Sequence, residues 1–263
     1  MKKTIFLTND DGFNAKGLLK LKEALQTIAN VVVVAPATEK SACAHSMTLT
    51  RPLKLLSVDD DFYKMDDGTP TDCVFVGINN LFDEDKKPDL VVSGINIGSN
   101  MGEDITYSGT VAGAMEGVIQ GIPSIAISQV FDDIANFNKD GWEYELACDT
   151  IIKIAKKILD GSYPLGERKL LNINIPPCSI QECQGFEITN AGYREYGDDC
   201  HRYSSPRGEE VYWIGLHPLI WQKVEGKSCD FEAIKQNKVS ITPIKLDLTS
   251  YEDIQTLKNW LED

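Results

Sequence analysis

The sequence predicts an α/β protein with a mostly parallel sheet flanked by helices. Short runs rich in Val, Ile and Leu alternate with segments of helical periodicity through residues 1–176. Two of these runs have an uninterrupted apolar stretch, Val31 to Val34 and the centre of residues 89–93, Leu90-Val91-Val92, which is typical of strands buried on both faces of a parallel sheet. Strands that alternate with helices form right-handed βαβ units, so neighbouring strands are expected to be parallel.

Each predicted element in the first part of the chain has a local signal. Residues 4–8 are an apolar, β-rich run that ends at the turn Asn9-Asp10-Asp11-Gly12. A helix follows, with apolar residues at helical spacing: Leu18, Leu21, Leu25 and Ile28. The strand over residues 31–34 ends at Pro36, and residues 53–55 alternate as in a more exposed strand. Gly68-Thr69-Pro70-Thr71 is a turn before a second helix, which carries Val74, Ile78 and Leu81.

The strand over residues 89–93 leads to a helix that opens at Ser108-Gly109-Thr110 and is rich in small residues, which allow close packing on a sheet. Residues 122–130 and 170–175 predict strands, with a helix over residues 146–159 between them. Beyond residue 176 the pattern predicts strands over residues 211–216 and 239–244 and a helix over residues 249–261. We therefore expect an α/β core over residues 1–176 and a β-rich extension with a C-terminal helix over residues 177–263, which is not an independent domain.

Charge and composition exclude several classes of protein. The formal net charge is −14, which argues against binding to nucleic-acid polymers or to an anionic membrane surface. No apolar stretch approaches the length of a membrane span, and the first residues lack the apolar core of a signal peptide. The seven cysteines are odd in number and scattered, which favours a reducing compartment. We therefore expect a cytoplasmic protein.

The candidate metal site lies where predicted strands end. Ligands of open α/β sheets bind beyond the carboxyl ends of the strands. Asp10 and Asp11 follow the first strand, Ser41 follows the second, and Asn96 follows the strand over residues 89–93. Adjacent carboxylates repel each other, and a divalent cation relieves that repulsion. An all-oxygen set of this kind suits Mg²⁺ or Mn²⁺ better than zinc. The alternative is that Asp-Asp-Gly is only a turn.

A second candidate feature is the helix that opens at Ser108-Gly109-Thr110. Helix N-termini bind phosphate through free N–H groups and the helix dipole. The alternative is that Ser108 or Thr110 is an ordinary N-cap. The glycine-rich stretch over residues 94–102 lacks both the dinucleotide-binding spacing and the lysine of a P-loop.

Six blocks in order carry a family resemblance: Thr8-Asn9-Asp10-Asp11-Gly12, Val34-Ala35-Pro36 with Ser41, Gly68-Thr69-Pro70-Thr71-Asp72-Cys73, Val92-Ser93-Gly94-Ile95-Asn96, residues 107–117, and Val239-Ser240-Ile241-Thr242-Pro243. With these blocks the chain resembles the SurE (survival protein E) family of metal-dependent 5′-nucleotidases. The resemblance runs from about residue 3 to about residue 245. It implies a Rossmann-like α/β fold with a C-terminal oligomerisation extension, and a homodimer or homotetramer.

The resemblance also implies a site and a substrate. It places one Mg²⁺ or Mn²⁺ per subunit on Asp10, Asp11, Ser41 and Asn96, with Asp10 and Asp11 as the catalytic pair. The positions that match the phosphate and substrate site are Asn9, His45, Ser108, Gly109 and Thr110. The implied reaction is hydrolysis of nucleoside 5′-monophosphates, with 3′-nucleotides and short polyphosphate as further substrates.

The serine loop, residues 41–46, departs from the family pattern, because Ala44 and His45 stand where the family usually has serine and asparagine. That asparagine lies near the phosphate, so His45 is expected either to replace it as a donor or to alter substrate preference.

One other mechanism and one other function are weighed against metal-assisted hydrolysis. A covalent aspartyl-phosphate route requires an Asp-x-Asp spacing, which Asp10-Asp11 does not match. A non-catalytic nucleotide- or metal-binding module would use the same residues without releasing phosphate.

Overall fold

The computed structural model describes residues 2–131, 144–197, 200–215, 220–222 and 228–262. The strands are β1 (Thr4–Thr8), β2 (Asn30–Pro36), β3 (Lys54–Asp59), β4 (Phe62–Asp66), β5 (Leu90–Ile97), β6 (Ser124–Gln129), β7 (Lys169–Ile175), β8 (Phe186–Ile188), β9 (Tyr193–Glu195), β10 (Cys200–Ser204), β11 (Glu210–Ile214), β12 (Ile220–Gln222) and β13 (Val239–Lys245). The helices are α1 (Lys16–Gln26), α2 (Pro70–Leu81), α3 (Gly109–Ile119), α4 (Glu145–Leu159), α5 (Asp230–Lys235) and α6 (Ile254–Glu262). The predicted α/β class with a mostly parallel sheet flanked by helices is confirmed.

The main sheet has nine strands in the order β3-β4-β2-β1-β5-β6-β7-β13-β8. In this spatial order, each strand from β4 through β2, β1, β5 and β6 to β7 is parallel to the next. At the two sides of this parallel region, β3 runs antiparallel to β4, and β13 runs antiparallel to β7. The chain builds outward from β1 to β2 and β4, and then returns to add β5 on the other side of β1. The order of strands therefore reverses between β1 and β5, and such a switch point leaves a crevice at the carboxyl ends of the two strands.

Alternate residues of the central strands pack against helices on opposite faces of the sheet. Ile5 and Leu7 belong to a buried cluster that also contains Leu21 of α1 and Ile151 of α4. Phe6, between them, packs in a second cluster with Val74 of α2. This alternation follows from the period-two geometry of a strand, and it explains why β1 is apolar throughout.

The small residues of α3 allow the close packing that the sequence predicts. A Cβ atom on Gly113 would lie 2.9 Å from Ser93 Oγ, and one on Gly117 would lie 2.3 Å from Ser124 Oγ. Both contacts are shorter than real side chains make, so the helix lies against β5 and β6 only because these positions are glycine. This packing brings the N-terminus of α3 to the carboxyl end of β1.

Residues beyond 176 contribute to the main sheet as well as to separate hairpins. β13 pairs with β7, and β8 pairs with β13, so both complete one edge of the main sheet. Outside it, β10 pairs with β11 and β9 pairs with β12, both antiparallel. The strands β10 and β11 and the helix α6 are exposed along their whole length. The boundary at residue 176 stays a prediction.

Several elements differ from the predicted ones. Six observed elements lie outside the predicted ones, because their residues show no clean periodicity: the strands β4, β8, β9, β10 and β12 and the short helix α5. The predicted strand over residues 211–216 corresponds to β11, and its last residue, Leu216, lies outside the described residues. The predicted C-terminal helix begins as a 3₁₀ turn over Tyr251–Asp253 and continues as α6. Among the described residues, no helix is both long and apolar enough to cross a bilayer.

Candidate active site

The turn after β1 presents two adjacent carboxylates at the switch point. Thr8, the last residue of β1, lies opposite Ser93 of β5. In the turn, Asn9 Nδ2 donates to the carbonyl oxygen of Gly12 at 2.9 Å. Asn9 Oδ1 is buried and accepts no hydrogen bond from any described residue. The turn is therefore tied to its own backbone on one side and leaves a polar oxygen for another partner.

Asp10 is almost fully buried and is held by the N-terminus of α3. Its Oδ2 accepts a hydrogen bond from the backbone N–H of Thr110 at 3.0 Å, and its Oδ1 accepts a short one from the Thr110 hydroxyl. A Cβ atom on Gly109 would lie 2.8 Å from Asp10 Cβ, so only glycine fits beside the carboxylate. Burial raises the pKa of Asp10 even though the bonds from Thr110 oppose that change.

This arrangement differs from the expectation that Thr110 contacts the phosphate. Both hydrogen-bond donors of Thr110 are engaged by Asp10. Ser108 acts as the N-cap of α3, since its Oγ accepts from the backbone N–H of Val111 at 3.0 Å. The N-cap interpretation, which the sequence left open, therefore holds for Ser108, and the structure makes Thr110 a positioning residue for Asp10.

Asp11 lies nearer to solvent than Asp10 and contacts the end of β5. Its Oδ2 accepts a hydrogen bond from the backbone N–H of Ile97 at 3.2 Å. Burial, and then repulsion from Asp10, raise the pKa of Asp11 to about 7. Two carboxylates that disfavour their charged forms in this way are what a bound cation would neutralise.

Asn96 reaches the site through an irregularity in β5. The pairing of β5 with β6 shifts register between Ser93 and Asn96, and irregularities of this kind re-aim side chains near active sites. Asn96 Nδ2 donates to the carbonyl oxygen of Gly98 at 2.9 Å. Because the amide nitrogen is used there, the amide oxygen is the atom left to act as a ligand.

The serine loop is tied to the site at one end and to α3 at the other. The backbone N–H of Lys40 donates to the carbonyl oxygen of Asp10 at 2.7 Å, directly before Ser41. The exposed Ser41 hydroxyl donates to Glu39 Oε1 at 2.7 Å. At the far end, His45 Nε2 lies 3.3 Å from Oε2 of the buried Glu116.

The contact with His45 also affects Glu116. Burial alone would raise the pKa of Glu116, but hydrogen bonds from His45 and Gln120 outweigh burial and lower it. The structure thus gives His45 a partner on α3.

A cavity of about 400 Å³ brings part of the predicted site together: Asp10, Ser41, Asn96 and Ser108 all line it. The other predicted residues do not line this cavity: Asn9, Asp11, His45, Gly109 and Thr110. Asp11 follows Asp10 in the same turn, and His45 faces α3. Asp104, Tyr107, Arg194 and Tyr196 line the same cavity. Sequence reasoning missed Arg194 and Tyr196, because they come from β9 and its end, far along the chain and without a motif.

The donor set fits a hard divalent cation. Among the described residues, no group of three or more His, Cys, Asp or Glu side chains is placed to hold a metal. A cation here would therefore rest on Asp10 and Asp11 and on neutral oxygens, which Ser41, Asn96 and Asn9 offer. Sets of carboxylate and neutral oxygens suit Mg²⁺ or Mn²⁺.

Comparisons with known proteins show which family the chain resembles. The family described as Survival protein SurE matches residues 5–198. A protein named 5′-nucleotidase SurE from Aliarcobacter butzleri is 62% identical over 261 residues, which cover 99% of this chain and 100% of the relative. Another of that name, from Helicobacter hepaticus, is 58% identical over 264 residues, with 99% of each chain covered.

A solved structure shows the same fold over the whole chain. The crystal structure of SurE protein from Aquifex aeolicus superposes with a TM-score of 0.82 and is 44% identical. The match covers 99% of this chain and 100% of that one. From the family match, the full-length relatives and the shared fold, we conclude that this chain belongs to the SurE family.

Proposed function

We propose that the protein hydrolyses nucleoside 5′-monophosphates to nucleoside and phosphate. Its relatives carry the name 5′-nucleotidase SurE over the full length of the chain. The observation that carries the proposal is the cavity at the switch point, which Asp10, Ser41, Asn96 and Ser108 line together. A buried carboxylate, neutral oxygen donors and a capped helix N-terminus around one cavity suit a phosphomonoester and a divalent cation.

Asp10, Asp11, Ser41 and Asn96 would hold one Mg²⁺ or Mn²⁺ per subunit. When bound, the cation supplies charge to stabilise the phosphate oxygens in the transition state. Thr110 fixes the orientation of Asp10 through two hydrogen bonds, so the carboxylate needs little rearrangement during turnover. Such preorganised groups are a major source of catalytic power.

Asp11 is our choice for the residue that accepts the proton of the attacking water. It lies nearer to solvent than the almost fully buried Asp10, and a general base must be within reach of the water that it deprotonates. Three residues border the place where the phosphate would sit. They are Asn9, through its unpartnered Oδ1, and Ser108 and Gly109, at the start of α3. His45 is proposed to shape this site from the serine loop through its contact with Glu116, with its second ring nitrogen left for the substrate.

The remaining expectations extend this proposal. We include 3′-nucleotides and short polyphosphate as further substrates, and a cytoplasmic location. The exposed strands β10 and β11 and the helix α6 carry large apolar side chains, among them Trp213, Ile214 and Trp260. Exposed apolar surface of this kind favours association. We therefore propose that residues 177–263 act as an oligomerisation extension of the core over residues 1–176, in a homodimer or homotetramer.

The test is phosphate release from AMP and GMP with Mg²⁺, Mn²⁺ or excess EDTA. We expect release with a divalent cation, loss in EDTA, and loss in Asp10→Asn with the fold retained. Nucleotide binding without release at full metal occupancy would contradict the proposal and favour a non-catalytic binding module. Trapping a phosphorylated aspartate would contradict direct attack by water.

A further inference from the structure

Two aromatic side chains line the cavity that Asp10 also lines. Tyr107 and Tyr196 both line it, with ring centroids 6.3 Å apart and planes at 83°, an edge-to-face arrangement. Tyr107 is 58% exposed and Tyr196 is 44% exposed. Neither ring belongs to a buried apolar cluster of the described residues. Two large, partly exposed rings therefore line the same cavity as Asp10.

Tyr196 is fixed in place by charged neighbours. Its hydroxyl donates to Asp104 Oδ1 at 2.7 Å. The Arg194 guanidinium lies 5.5 Å from the Tyr196 ring centroid, and Arg194 Nε lies 3.3 Å from Asp104 Oδ2. The Arg194 side chain is only 7% exposed, so its ion pair with Asp104 is shielded from water. These contacts hold the Tyr196 ring in its edge-to-face contact with Tyr107.

Tyr107 is next to the proposed phosphate position along the chain. It directly precedes Ser108, the N-cap of α3, and its carbonyl oxygen accepts from the backbone N–H of Ala44 in the serine loop at 2.9 Å. Its backbone is thus bound to both elements that flank the proposed phosphate position, while its ring is largely exposed. A nucleotide presents a phosphate and a flat base at its two ends, which matches a cavity lined by Asp10 and by two tyrosine rings.

We propose that Tyr107 is the stacking platform for the nucleobase and that Tyr196 is the positioning residue that holds the platform. This inference rests on the proposed function, since it assigns the base end of the same substrate. Stacking uses the π-face that every base has, so such a platform is expected to accept purines and pyrimidines. Discrimination between bases would have to come from other groups.

The test compares substrates with and without a base. Wild type, Tyr107→Ala, Tyr107→Leu, Tyr107→Phe and Tyr196→Ala are assayed for KM and kcat with AMP, GMP and CMP, and with ribose 5-phosphate, which has no base. Loss of a stacked base should raise KM about tenfold to a hundredfold for nucleotides in Tyr107→Ala. KM for ribose 5-phosphate should change less than about threefold, kcat should be retained, and Tyr107→Phe should resemble wild type.

Two further comparisons separate stacking from other roles. Tyr107→Leu keeps apolar bulk without a π-face, so it should resemble Tyr107→Ala. Tyr196→Ala should raise KM for nucleotides by a smaller factor, because the Tyr107 ring remains but is less well oriented. Equal effects on ribose 5-phosphate and on nucleotides in Tyr107→Ala would overturn the proposal, as would unchanged KM for all of them. Circular dichroism checks that each variant is folded.

A binding experiment separates this inference from the proposed function. Calorimetry with the Mn²⁺-loaded protein measures the affinity of AMP and of ribose 5-phosphate without requiring turnover. Tighter binding of AMP in wild type, with the difference lost in Tyr107→Ala, supports the platform even if no phosphate is released. Equal affinities in wild type overturn it even if the protein is an active nucleotidase.

Discussion

Replacement of Asp11 by Asn is expected to stabilise the metal-free protein at pH 8. Asp11 has an ordinary pKa of 3.8 that burial and repulsion from Asp10 raise to about 7 in the folded chain. Between these two values the unfolded chain has lost the Asp11 proton and the folded chain has kept it. Stability therefore falls as the pH rises from about 4 to about 7 and stays low above that range. Asparagine has no such proton, so Asp11→Asn removes this loss.

The size of the effect follows from the difference between the two pKa values. One pKa unit corresponds to about 1.36 kcal/mol, so raising the pKa from 3.8 to about 7 corresponds to about 4 kcal/mol at most. Relaxation and water penetration reduce penalties of this kind, so we expect a gain of about 2 kcal/mol at pH 8. At pH 4 the two proteins should differ little. The hydrogen bond from the Ile97 N–H is retained, because the Asn oxygen can accept it.

Urea unfolding of EDTA-treated protein at pH 4 and pH 8 measures this gain. Asp67→Asn is the matched control, because Asp67 is exposed and the neighbouring Lys40 lowers its pKa. That variant should show no gain at pH 8. Added Mn²⁺ should stabilise wild type and should stabilise Asp11→Asn much less. A gain that is the same at both pH values, or no gain at pH 8, would show that the charge on Asp11 is not what destabilises the metal-free protein.

Three other substitutions test how α3 is placed, and a fourth, Gly166→Ala, is a control outside this helix. Gly109→Ala puts a Cβ 2.8 Å from the Asp10 side chain, so we expect the affinity for metal, measured by calorimetry, to fall by at least about tenfold. Unchanged affinity would contradict the close packing of Gly109 against Asp10. Gly117→Ala should lower the free energy of unfolding by about 1–3 kcal/mol, whereas Gly166→Ala, with nothing within 4 Å, should leave it unchanged. Glu116→Gln should cost about 1–2 kcal/mol at pH 7. Because hydrogen bonds outweigh burial and lower the Glu116 pKa from its ordinary value of 4.5, that difference should shrink as the pH falls below 4.5. Urea titrations at pH 3 and pH 7 would measure the change.

The sequence alone was sufficient for the fold class and for the carboxylate pair. The apolar run of β1 is local, and so is the helical spacing of Leu18, Leu21 and Leu25, which all face the buried cluster. The turn Asn9-Asp10-Asp11-Gly12 is contiguous, and the small residues of α3 are visible as composition. Each of these signals is carried by residues a few positions apart, so it can be recognised before the chain is folded.

Only the tertiary structure decided how distant groups meet. The hydrogen bonds from Thr110 to Asp10 join residues 100 positions apart, and they exist because the strand order places α3 beside the end of β1. The same holds for Tyr196, which comes from beyond the core pattern to pack against Tyr107. Periodicity shows which face of an element is buried, but it carries no information on which loops of a sheet become neighbours. That depends on strand order, which is set by the packing of the whole chain.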